Sequence, residues 1–99
     1  VNMSHIKIVR NHDASIDKLQ QCASDIILEM AKQYQLSVSK FEIQTGTRFA
    51  FKASGITGFL DVNHTNIIFE AELGFLQSIF KDSIAKSVDA KLKEILEEE

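Results

Sequence analysis

A chain of 99 residues, 44% hydrophobic and 25% charged, is expected to form one ordinary globular domain spanning 1–99. A net charge of −3 with scattered lysines lacks the basic stripe of a nucleic-acid binder, so no nucleic-acid partner is expected. No run approaches the roughly 20 apolar residues of a membrane-spanning helix, so no transmembrane segment is expected either.

The start, "VNMSHIKIVRN", has no apolar signal core, and Met3 is the expected natural first residue. The single cysteine, Cys22, has no internal disulfide partner, which points to a reducing cytoplasm. Residues 5–10, "HIKIVR", alternate: Ile6 and Ile8 share one side, with His5, Lys7 and Val9 on the other. That period of two predicts a first strand. "NHDAS" then punctuates the chain, and Asp13 or Ser15 can cap a helix.

The helix is predicted from about Ser15 to Tyr34. Ile16, Leu19, Ala23, Ile26, Ile27, Met30 and Tyr34 recur at steps of three and four and form one apolar stripe. Over residues 38–72 the period changes to two. Phe41 pairs with Ile43, Phe49 with Phe51 and Ala53, Leu60 with Val62, and Ile67 with Phe69 and Ala71. "TGT", "SG" and "NHTN" separate these runs as turns, giving an antiparallel meander of four strands.

A last helix is predicted from about Phe75 to Leu96, with Leu76, Ile79, Phe80, Ile84, Val88, Leu92, Ile95 and Leu96 as its stripe. The terminal "LEEE" places carboxylates against the helix dipole, so its last turn is expected to fray. The expected order is β-α-β-β-β-β-α: an α+β domain whose antiparallel sheet carries two helices packed on one face.

Width supports that count of helices. Five strands at about 4.8 Å make a sheet roughly 24 Å wide, and one helix covers only about 10 Å of it. The stripe of the last helix, Leu76, Ile79 and Phe80 included, is therefore expected to face the core. Val9, Ile68 and one of Phe59 or Leu60 must point away from the helices, leaving a sheet face suited to a homodimer. Phe75, beside Gly74 at the strand-to-helix joint, is the expected outward aromatic. Phe75, Ile68 and Phe59 are thus the candidate surface contacts.

Nothing in the chain assembles into a recognisable reaction centre. His5, His12 and His64 lack the spacing of a zinc motif, so no metal or other cofactor is expected. Cys22 lies beside an apolar stripe with no base in view. Asp61, Glu70 and Glu72 are outward acids on neighbouring strands. Gly55-Ile56-Thr57-Gly58 joins two strands, where a tight turn with close backbone approach is the expected role. No enzymatic activity is expected.

"MSHIKIVRNH", "SGITGFLDV" and "AELGFLQSIFKDSIAKSVDAKL" together resemble the small polyhydroxyalkanoic acid system proteins of bacteria. The sharpest markers are Gly55 and Gly58, then Ala71, Leu73, Gly74, Phe75 and Leu76, then Phe80-Lys81. The resemblance runs through nearly the whole chain. It implies a polyester-storage context and supplies no catalytic residue; the first reading is a non-enzymatic accessory protein of unassigned molecular activity, with granule proteins or the granule surface as partners. A second reading comes from outline alone. A sheet gripping a long C-terminal helix is similar to helix-grip lipid carriers, in which Phe49, Phe51, Phe69, Phe80 and Ile84 would line an apolar acyl pocket.

Overall fold

The alternation of Ile6 and Ile8 becomes strand β1 (Ser4–Asn11) in the computed structural model, which describes residues 4–97. The chain then forms helix α1 (Ile16–Tyr34) and four strands, β2 (Ser37–Ile43), β3 (Gly46–Ala53), β4 (Ile56–Asn63) and β5 (Asn66–Leu73). A single 3-10 turn (Gln77–Phe80) leads into helix α2 (Lys81–Glu97). The start expected at Met3 and the end of the "LEEE" tail lie outside the described residues.

Helix α1 begins at Ser15, whose backbone is extended as an N-cap requires but whose hydroxyl makes no capping bond. It stops at Gln35, which enters the left-handed region at φ 56° and turns the chain back toward β2.

All strand pairs are antiparallel and the order across the sheet is β1-β5-β4-β3-β2. The meander β2 to β5 is built from hairpins, and β1 joins its free edge beside β5. The register puts Ile6, Ile8, Phe49, Phe51, Leu60, Val62, Ile67 and Phe69 on one face. All eight are buried.

Both helices lie on that face, as the width argument requires. Helix α1 rests on β2, β3 and β4, and α2 rests on β1. Their buried residues are Leu19, Ala23, Ile26, Ile27 and Met30 from α1, with Ile84, Val88 and Leu92 from α2. Phe51 stacks on Phe69 with ring centres 5.7 Å apart. Two ion pairs tie α2 in place, Arg10 to Asp89 and Lys91 to Glu29, each at 2.5 Å. Both are exposed, and such pairs are worth at most about 1 kcal/mol, so apolar burial holds the helix.

The last helix departs from its expected course at its beginning. Its stripe predicts a start near Phe75, but α-helix begins only at Lys81 and a tighter 3-10 turn precedes it. A 3-10 turn advances about 120° per residue where an α-helix advances about 100°. Over four residues the side chains shift by about 80°, so the stripe loses phase. Leu76, Ile79 and Phe80 therefore do not join the core: they are 72%, 79% and 40% exposed.

Candidate functional site

The departure leaves an apolar elbow between sheet and helix. Phe75, Leu76, Ile79 and Phe80 are all exposed within six residues, Phe75 at 63%. Single exposed apolar residues are ordinary, but four large ones within six residues make this corner a candidate contact surface. Phe80 is held at its base by Tyr34, edge to face, with ring centres 5.8 Å apart.

The elbow is seated on the turn between β3 and β4. The Gly74 N–H donates to the Gly55 carbonyl at 2.8 Å, and the Ser78 N–H donates to the Gly74 carbonyl at 3.0 Å. The Ser78 hydroxyl donates to the Phe75 carbonyl at 2.6 Å. Gly55 has φ 80°, and the Gln77 amide fills the space that a Cβ on Gly55 would need. Gly58 serves the sheet instead, since a Cβ there would strike the Glu70 carbonyl and the Phe51 ring. The Gly-x-x-Gly spacing thus combines a latch for the elbow with room for a core aromatic ring.

The second surface is the uncovered sheet face. Phe59 and Ile68 are half-buried there, beside the more exposed Val9 and Phe41. Leu60 points the other way, into the core, at 0% exposure. Between them Arg48 grips Asp61 with two bonds, Nε at 2.7 Å and a terminal nitrogen at 2.8 Å. The guanidinium also lies 4.1 Å from the centre of the Phe59 ring. The hydrogen bond to Asp61 raises the Arg48 pKa above its ordinary value, against a smaller opposing effect of burial. A raised pKa on a cation means its stabilising contribution is complete below the ordinary value and is lost only above it. Arg48 therefore stays charged through the whole working range.

The remaining candidates are dispersed. Glu70 sits 3.3 Å from His5 and 3.9 Å from Lys7, while Glu72 is exposed. His12 accepts the Ala14 N–H on Nδ1 and, in that tautomer, donates from Nε2 to the Asn63 carbonyl at 2.8 Å. It staples the β1–α1 connection to the sheet. His64 is exposed in the β4–β5 turn. Cys22 is half-buried in a groove of about 200 Å³ between the helices, lined by Asp25, Ile26, Glu29, Lys91, Glu94 and Ile95. No group of three or more His, Cys, Asp or Glu among the described residues is placed to hold a metal ion. No helix among them is long and apolar enough to cross a membrane.

Of the five residues named for an acyl pocket, Phe49, Phe51, Phe69 and Ile84 are core side chains with at most 3% exposure. Phe80 is not among them, because the shifted elbow carries it outside the sheet-helix contact to the Tyr34 ring. Phe75 is exposed at the elbow. Leu76 and Ile79 are the exposed apolar residues that reading the sequence as one continuous helix places in the core.

The family described as "Putative polyhydroxyalkanoic acid system protein" matches residues 6–96, and the chain belongs to it. No curated protein matches the chain.

Proposed function

We propose that this member of the polyhydroxyalkanoic acid system family is a non-enzymatic accessory protein of polyester storage that attaches to the granule surface through its apolar elbow. The observation that carries the reading is the exposure of Phe75, Leu76, Ile79 and Phe80 at one corner of the fold. Their backbone is pinned by Gly55, Gly74 and Ser78, so little further ordering is required when the corner meets an apolar surface. Granule polyester presents ester and alkyl groups, and these side chains offer matching apolar area with no charge among them.

Burying Leu76 and Ile79 contributes about 2–4 kcal/mol together. Co-sedimentation with protein-free amorphous poly(3-hydroxybutyrate) particles tests this directly. The protein is expected in the pellet, and Leu76→Asp/Ile79→Asp is expected to bind at least about thirtyfold more weakly. Both residues are exposed, so the variant keeps its fold, which circular dichroism checks. Equal pelleting of the folded variant overturns the elbow's role. Pelleting only with native coated granules makes the contact one between proteins.

A further inference from the structure

We infer that the uncovered sheet face is the interface of a two-fold homodimer, in which β4 lies over its own copy. This inference is independent of the elbow, which lies beyond the ends of the strands. Register places the residues of this face in straight rows across five strands. One row reads Val9, Ile68, Asp61, Arg48, Phe41, from β1 to β2. The next reads Lys7, Glu70, Phe59, Ala50, Ser39, and the one after it His5, Glu72, Thr57, Lys52, Ser37.

A two-fold axis along β4, in the plane between two such faces, keeps each row and reverses its order. Strand β5 then lies over β3 of the second copy, and β1 over β2. Three matches follow at once. Val9 meets Phe41 of the second copy, and these are the two large apolar side chains most exposed on this face, at 41% and 47%. Phe59 meets Phe59. Glu72 meets Lys52 of the second copy, and neither has an ion-pair partner in its own protomer among the described residues. Within one chain Glu72 and Lys52 stand two strands apart, about 10 Å, with Thr57 between them.

Charge and area agree with this. The face carries Lys7, Arg48 and Lys52 against Asp61, Glu70 and Glu72, a balance of zero on a chain of net charge −3. The same axis sets Asp61 over Asp61, but each is 4% exposed and bonded to its own Arg48, so the two faces meet without net charge. Arg48 and Asp61 satisfy each other within the protomer, so the second copy covers a neutralised pair. Five strands by eight residues give a flat footprint of about 600 Å² per copy, or about 1,200 Å² in all, the lower end of stable interfaces. Aligned sheets pack at about 10 Å with such faces interleaved.

Sedimentation equilibrium tests the arrangement and its register. The wild-type chain is expected to be a dimer at micromolar concentration. Phe41→Asp is expected to raise Kd about a hundredfold. Glu72→Lys and Lys52→Glu alone each set like charges together twice per dimer and are expected to raise Kd about tenfold. The double variant, with both charges exchanged, is expected to return to within about threefold of wild type. All these side chains are exposed, so the exchange is readable without loss of the fold. A wild-type monomer up to about 1 mM overturns the proposal. A double variant as weak as its parents, or a dimer abolished by Leu76→Asp and untouched by Phe41→Asp, overturns it equally.

Discussion

Residues 76–80 and 84–92 belong to one apolar stripe in the sequence and end in opposite surroundings. Ile84, Val88 and Leu92 are buried to 2%, 1% and 1% exposure, while Leu76 and Ile79 stand almost fully in water. The difference lies beneath them. Below α2 runs the apolar face of β1, whereas β5 has ended at Leu73 before the elbow begins. The 3-10 turn adds a rotation of about 80° that prevents the elbow from sharing the helix's face. An apolar stripe thus states what a helix can bury, and only the sheet below decides how much of it is buried.

Leu92→Ala exposes that contrast most strongly. It removes a fully buried side chain and is expected to cost about 2–5 kcal/mol, read from the urea midpoint. A loss below about 1 kcal/mol would mean that α2 is not held by its stripe.

Gly55→Ala acts at the seam between the two regions. It forces a side chain into a left-handed φ of 80° and displaces the Gln77 amide from the turn. The expected cost is about 1–3 kcal/mol, with weaker polymer binding because the latch under Gly74 loosens. Unchanged binding together with the stability loss would separate the latch from the contact surface.

Leu76→Ala is expected to have the smallest effect on folding, within about 0.5 kcal/mol, because its side chain touches little. Its effect belongs instead to particle binding. If it destabilises the chain as much as Leu92→Ala does, the elbow is part of the core in solution and the comparison fails.

The strands were fully legible because the period of two is local: Phe49, Phe51, Ile67 and Phe69 declare their side by alternation alone. The turns were legible for the same reason, since Gly55 at a positive φ is a property of one residue. The candidate site was only half legible. Phe75 could be singled out beside Gly74, but Leu76 and Ile79 could not, because helix and 3-10 turn differ by one hydrogen-bond step that short stretches do not encode. On the open face, Val9 and Ile68 were legible as outward residues, while the choice between Phe59 and Leu60 waited for the structure, where Leu60 is fully buried. That Val9 and Phe41 stand at opposite ends of one row across the sheet followed only from the register.

Residue order alone determined the α+β class, the five strands, the two helices and the face they cover, because each follows from local periodicity and sheet width. Tertiary structure alone decided which apolar residues remain in water. Exposure depends on what lies underneath, and that is a fact about strand ends, register and the latch between Gly55 and Gly74, which lie far apart in the chain and close in space.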